Sequence, residues 1–263
     1  MYSLIRLSWT GETRRWRPGR QWVVAAAACL CVPLGVAAQP NFGTDDFASQ
    51  RRVMVEEQIR GRGIEESRLL NALETVPRHE FVPEALRDEA YRDAPLQIGS
   101  GQTVSQPYLV ALMADLLELD GDEKLLEIGT GSGYTTAVLA RLARRVYSIE
   151  IIDELADRAS TVLDDLGYGN VEVRVDDGYR GWPEEAPFDR ILVSAAPSEV
   201  PPPLLEQLKV DGILVAPVGR TLQDLVVIRK TADGLVRRQV DVVRLVPMVG
   251  RAQEDPEGEN PNF

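Results

Sequence analysis

Histidine is nearly absent from this chain. His79 is the only one in 263 residues, which excludes a histidine-based triad and a histidine-rich zinc site on supply alone. Cysteine is as scarce: Cys29 and Cys31 are the pair, and both precede the globular part. That part therefore has no disulfide and no thiol nucleophile. Positive charge is in deficit. A formal net charge of −12 argues against nucleic acid as a general partner and fits a solvated acidic surface. A membrane-spanning helix needs about 20 apolar residues. The best stretch here, residues 22–38, is 17 long and broken by Pro33 and Gly35, so no stable membrane anchor is expected.

What is present is a chain 44% hydrophobic, enough to bury the core of one full-sized domain. The first 40 residues differ from the rest. Arg14, Arg15, Arg17 and Arg20 precede the apolar stretch, and Val36-Ala37-Ala38 offers small residues before Gln39. That is the layout of a cleavable export signal, and it makes residues 1–40 a signal-like leader. The alternative is a cytosolic product that starts at Met54. Residues 41–53 read as a linker and the start of the first helix, and 54–250 as the globular domain. Residues 251–263 are polar and acidic, and read as a disordered tail.

The chain is organised around residues 125–134, L-L-E-I-G-T-G-S-G-Y. A short apolar run that ends in glycines suits a buried parallel strand. Val138, Leu139 and Leu142 then share one face of a following helix. Gly129, Gly131 and Gly133 lie in the turn between them, where backbone can approach a ligand without an intervening Cβ. A second apolar strand ends in Glu150, placed to accept from ribose hydroxyls. A third, residues 171–175, ends in Asp176-Asp177-Gly178, where a carboxylate can meet an adenine amine. Together these favour an adenosine-type ligand over a turn that only packs helix on sheet.

Helices are expected over 45–60, 65–76 and 84–91, as a preface to the sheet. A stretch with little periodicity, 98–107, leads into a helix over 107–119 with Pro107 at its first position. Ser105 there has a plain reading as a helix cap. Strands at 124–128, 146–151, 171–175, 189–194 and 213–218 alternate with helices at 134–144, 153–166 and 201–208. That alternation predicts a mostly parallel, doubly wound sheet with helices on both faces. Residues 224–230 and 240–246 flank the turn signal Ala232-Asp233-Gly234 and predict a closing strand pair with an antiparallel member.

Several motifs line up with one family. M-V-E-E-Q-I at 54–59, V-P-R-H-E-F-V-P at 76–83, G-Q-T-V-S-Q-P-Y at 101–108, L-E-I-G-T-G-S-G-Y at 126–134, Y-S-I-E at 147–150, D-G-Y-R-G-W-P at 177–183, A-P-F-D at 186–189 and A-P-V-G at 216–219 resemble the protein-L-isoaspartate (D-aspartate) O-methyltransferases. The glycine motif is shared by many methyltransferases; the Q-T-V-S-Q-P and D-G-x-x-G-W-P segments are far more specific. The resemblance covers roughly 54–250, with departures at Ser100, Thr135 and Asp176. It implies the class I S-adenosylmethionine-dependent methyltransferase sandwich, with S-adenosyl-L-methionine as cofactor. On that likeness Gly129, Thr130 and Gly131 line the cofactor, Glu150 takes the ribose, and Asp177 with Gly178 takes the adenine. Thr103 and Val104 close over it, Ser105 is the active-site serine, and Val200-Pro201 borders the substrate groove.

The implied reaction is methylation of the free carboxylate of L-isoaspartyl and D-aspartyl residues in damaged proteins and peptides, which begins their repair. No metal and no nucleic acid is implied. The family and the cofactor supply point to the cytoplasm, and the leader to the alternative of export to the periplasm. Two rivals stand beside this reading. A nicotinamide dehydrogenase would share the glycine turn and Glu150, but the third glycine comes one residue early for G-x-G-x-x-G. A non-catalytic exported binding protein would suit the leader, whereas the intact Ser105, Glu150 and Asp177 favour an enzyme. His79 has a plain reading as a packed turn residue, and Trp182 and Pro183 could face substrate or cover the sheet end.

Overall fold

A computed structural model describes residues 46–253. The leader over 1–40, the linker up to residue 45 and the tail from residue 254 lie outside the described residues. Asp46 caps α1 (Phe47–Val53) by accepting the Ser49 N–H at 3.0 Å. The helix runs on as a π-helical turn, Met54–Ile59, whose Met54, Val55 and Ile59 are buried. At α2 (Ser67–Thr75) the Glu66 carboxylate accepts the N–H groups of Arg68 and Leu69. Proline after Val76 prevents the helix from continuing. Turns of 3-10 type follow at Arg78–Phe81 and Glu84–Glu89.

The stretch expected to lack regular structure is a hairpin, β1 (Leu96–Gly99) and β2 (Gln102–Val104). Beyond α3 (Pro107–Asp115) come β3 (Lys124–Ile128), α4 (Tyr134–Ala140), β4 (Arg145–Glu150), α5 (Asp153–Asp165), β5 (Val171–Val175), β6 (Phe188–Val193), α6 (Pro202–Gln207), β7 (Leu208–Val218), β8 (Gln223–Thr231) and β9 (Gly234–Val243). The last seven strands form one sheet in the order β5-β4-β3-β6-β7-β8-β9. Neighbours from β5 to β7 are parallel, and β8 runs antiparallel to both β7 and β9.

Alternation along the strands sorts the core into two layers. Leu125 faces the layer built with α2 to α5, while Leu126 and Ile128 face the layer that holds Trp182, Phe188 and Leu204 of α6. The edge strand β9 is mostly exposed and carries Arg237 and Arg238, charges that discourage pairing with another edge.

Chain order reverses at β3, with β4 on one side and β6 on the other. Ile128 lies level with Ile149 and with Val193. Gly129, Glu150 and Ser194 therefore leave the sheet at one height, over the switch point where ligands bind in such folds. The segment after β9 crosses this edge. The buried Gln223 donates Nε2–H to the Leu245 carbonyl at 3.0 Å and accepts its N–H at Oε1 at 2.6 Å. Ala196 donates to Val246 O and accepts from Met248 N, both at 2.8 Å. These bonds strap residues 245–248 across the carboxyl edge. Gln223→Leu leaves both Leu245 groups without their partner, a cost of about 1–3 kcal/mol. Amide exchange should quicken over 245–249 and stay slow in β3 and β6; unchanged protection of 245–249 would contradict the strap.

Candidate active site

The glycine turn lies over the switch point, with φ of 92° at Gly129, 55° at Gly131 and 87° at Gly133, values that side chains with a Cβ rarely adopt. Gly131 N–H donates to Glu150 Oε2 at 2.8 Å, and Ile151 and Ile152 N–H donate to Oε1 at 3.0 and 3.1 Å. A carboxylate offers about four lone-pair sites, so one remains for a ligand hydroxyl beyond these three. Gly129, Gly131, Glu150, Gly178 and Ser194 line one cleft with Gln102 and Thr103. Val246 and Pro247 of the strap complete its wall. Ser194 Oγ is buried without a partner among the described residues. An acid at hydroxyl height, a turn with glycine at every second position and an orphaned hydroxyl fit an adenosine-type cofactor. The cleft encloses about 70 Å³.

Of the Asp177-Gly178 pair, Gly178 lines the cleft. The Asp177 carboxylate accepts Tyr179 N–H at 3.0 Å and Arg251 N–H at 2.9 Å. Gly250 turns the chain there with φ 82°, and a Cβ on it would stand 2.8 Å from both Asp177 Oδ2 and Ile151 Cδ1. Residues Gly250–Gln253 thus begin the tail as a 3-10 turn over the acid. Thr130 is buried, its Oγ1 2.6 Å from Ser148 Oγ. Ser148 and Thr136 both donate to Glu127 Oε2, at 2.7 and 2.6 Å. Because Ser148 gives its one proton to Glu127, the Thr130 hydroxyl is the donor in its own bond. Glu127 is fully buried. Burial pushes its carboxyl up to about 7, aided by the Glu150 charge and opposed by the two hydroxyl bonds.

Ser105 follows the hairpin. Val104 is buried against Leu96, its cross-strand partner, and Thr103 faces the cleft. The plain reading of Ser105 as a helix cap does not hold, because Gln106 occupies the cap of α3 and makes no side-chain cap bond. Ser105 is partly exposed and lines no part of the cleft, and its carbonyl accepts Arg78 Nη2–H at 2.7 Å. Arg78 is buried completely. Its Nε donates to Ala90 O at 2.7 Å, and its guanidinium lies 4.5 Å from the centre of the Tyr134 ring. Burial pulls its pKa below the ordinary arginine value, with Tyr134, Tyr91 and Asp93 opposing.

The sequence reading missed Arg78, Glu127 and Ser148. Arg78 had one signal, its place between Pro77 and Pro83. Glu127 had another, an acid inside an apolar strand. Val200 packs against the apolar layer beside α6, and the buried Pro201 is the cap residue just before that helix; neither lines the cleft. Trp182 covers the sheet, edge-on to Tyr147 at 5.3 Å. His79 is a packed turn residue: it stacks on Phe47 at 4.0 Å, and its Nδ1 lies 2.7 Å from the Tyr91 hydroxyl. Burial holds its imidazole below the usual range. Among the described residues no group of three or more His, Cys, Asp or Glu could hold a metal ion.

The Glu127 carboxyl sets a pH dependence with a definite sign. Its folded pKa, about 7, exceeds its ordinary value of 4.5. The stability it contributes is complete below the ordinary value and is lost as pH rises through about 7. Glu127→Gln should remove a decline of roughly 2–3 kcal/mol between pH 5 and 8. Urea unfolding of both proteins across that range measures it; parallel pH profiles would contradict the assignment.

The profile of the family described as protein-L-isoaspartate(D-aspartate) O-methyltransferase (PCMT) matches residues 49–253. A protein-L-isoaspartate O-methyltransferase of Synechococcus sp. strain JA-2-3B'a(2-13) is 54% identical over 222 residues, 81% of this chain and 91% of the relative. One of Shewanella sediminis, numbered 2, is 49% identical over 84% of this chain and 91% of its own length. A solved protein-L-isoaspartate O-methyltransferase matches with a TM-score of 0.70 at 29% identity, over 76% of this chain and 67% of that one. A Plasmodium falciparum structure of the same description, in complex with S-adenosyl-L-homocysteine, gives a TM-score of 0.67 at 24% identity over 76% of this chain and 98% of that one. With matches of this extent, the chain belongs to the protein-L-isoaspartate(D-aspartate) O-methyltransferase family.

Proposed function

We propose that the chain transfers a methyl group from S-adenosyl-L-methionine to the free carboxylate of L-isoaspartyl and D-aspartyl residues in damaged proteins and peptides. The observation that carries this reading is the placing of Ser105. Its carbonyl is held by a buried guanidinium, two residues after Thr103 of the cleft, and the residue is partly exposed. Family membership and the named relatives support the same reaction.

When bound, S-adenosylmethionine supplies a methyl group activated by its sulfonium, and an oxygen of the substrate carboxylate bonds to that methyl as the carbon–sulfur bond breaks. A carboxylate is already ionised at neutral pH, so the chain need not provide a base. Glu150 and the glycine turn would hold the ribose side of the cofactor, and Asp177-Gly178 the adenine side. Thr103 and Val104 would cover the cofactor from the hairpin. The Ser105 hydroxyl would orient the carboxylate by a hydrogen bond, in line with the methyl. Val200-Pro201 would border the substrate. Alignment and a matched electrostatic environment are the contributions such a reaction needs.

The test is methyl transfer from radiolabelled cofactor to two peptides that differ only in L-isoaspartate against L-aspartate. The isoaspartyl peptide should be labelled and the aspartyl peptide ignored. Ser105→Ala should lower the rate roughly 10–1000-fold, the range for one positioning donor, with the fold unchanged. Equal labelling of the two peptides would overturn the substrate, and an unchanged rate for Ser105→Ala would overturn the role of the serine.

A further inference from the structure

The cofactor cleft contains a polar group that neither the glycine turn nor the acids account for. Ser194 follows β6 and lines the cleft. Among the described residues six buried side-chain atoms lack a hydrogen-bond partner, and Ser194 Oγ is the one whose residue lines the cleft. A buried hydroxyl without a partner costs free energy, so its presence in a binding cleft points to a partner supplied from outside the chain. No bond holds this hydroxyl in place. Rotation about the single χ1 bond carries it between staggered positions, and a ligand in the cleft can take it up. The backbone beneath it is fixed, because Ser194 N–H donates to Ile128 O at 2.8 Å. A Cβ built on Gly129 would stand 3.6 Å from Ser194 Cβ, so the serine abuts the glycine turn with no side chain between them.

Strand order tells which part of the cofactor meets it. Across the sheet the cleft is lined by Gly178 after β5, Glu150 at the end of β4, Gly129 after β3 and Ser194 after β6. In the proposed placing the adenine lies at the first and the ribose at the second. Beyond the ribose, S-adenosylmethionine continues as its sulfonium and an amino-acid chain that ends in an ammonium and a carboxylate. That end runs on toward β6, which stands two places from β4, about 10 Å away. Glu150 is the one charged residue lining the cleft, and three N–H groups already engage its carboxylate. The lining residues offer no cation to the amino-acid carboxylate and no second acid to the ammonium, so neutral polar groups must hold that end. Gln102 and Thr103 present theirs from the hairpin, and Ser194 is the neutral polar side chain that the sheet itself presents.

We infer that Ser194 is a cofactor-binding residue whose hydroxyl hydrogen-bonds the amino-acid end of S-adenosylmethionine. This rests on the cofactor placing in the proposed function, and it adds the group that recognises the end remote from the adenine. Glu150 and Ser194 then fix the cofactor from both sides of the glycine turn, with the sulfonium between them.

The experiment is calorimetry on the full chain with two ligands, S-adenosylhomocysteine and methylthioadenosine. The second has the same adenosine and sulfur but only a methyl in place of the amino-acid chain. Ser194→Ala should raise Kd for S-adenosylhomocysteine about three- to tenfold, the worth of one hydrogen bond. It should leave Kd for methylthioadenosine within about twofold of the parent. Without ligand the variant should melt no lower than the parent, because the hydroxyl has no partner within the chain to lose. An unchanged Kd for S-adenosylhomocysteine would overturn the inference. An equal loss of affinity for both ligands, or a lower melting temperature without ligand, would overturn it as well, since either marks a structural role. In each of those cases the cofactor placing stands. Failure of the parent to bind S-adenosylhomocysteine would overturn the placing and the inference together.

Discussion

A buried cation without a carboxylate bonded to it is expensive, and Arg78 is one. Its cost is offset by two charge-assisted bonds to backbone carbonyls, each about 1.5–3 kcal/mol, and by the face of Tyr134. Those three contacts join stretches far apart in the chain: Ala90 in the helical preface, Ser105 after the hairpin, and Tyr134 at the first turn of α4. The preface thus reaches the chemistry through one guanidinium. A lysine has a single compact ammonium and cannot reproduce the planar fork. In the proposed reaction the alignment of substrate carboxylate with methyl would depend on where Ser105 sits, and Arg78 holds the carbonyl of that residue.

The cofactor side is organised by a different device. Equal strand heights at Ile128, Ile149 and Val193 bring the glycine turn, Glu150 and Ser194 to one edge. Beneath them runs a buried chain of hydroxyls, Thr130 to Ser148 to Glu127, with Thr136 from α4 meeting the same acid. This ties the turn to β3, β4 and α4 at once. Gln223 and Ala196 bring the post-β9 strap over the same edge, so the last part of the domain completes a site begun in the middle of the chain.

Most of this architecture was legible in the sequence, because its central strands are short apolar runs, buried on both faces and bounded by turn residues. β3 and β5 lie where the pattern put them, and the remaining strands of the sheet are present with shifted ends. β7 begins at Leu208 rather than at residue 213, since the chain pairs with Phe188 before an irregularity and resumes at Ile213. The hairpin was not legible: its tip, Gly99-Ser100-Gly101, lies wholly at positive φ, and strands of four and three residues carry little periodicity. The enclosure of Arg78 was not legible for another reason: its place between Pro77 and Pro83 marks a turn and not a burial. A lone arginine in a proline-flanked turn reads as solvated, and only tertiary packing reveals that it is enclosed.

The central claim is that a buried guanidinium places Ser105, the serine proposed to orient the substrate, independently of cofactor binding. Arg78→Lys tests it, with calorimetry of S-adenosylhomocysteine binding run beside steady-state methyl transfer to an isoaspartyl peptide, below the melting temperature of both proteins. The account predicts a kcat lowered at least about tenfold with cofactor affinity within about twofold of the parent. An unchanged kcat, or a kcat and an affinity that fall together, would contradict it.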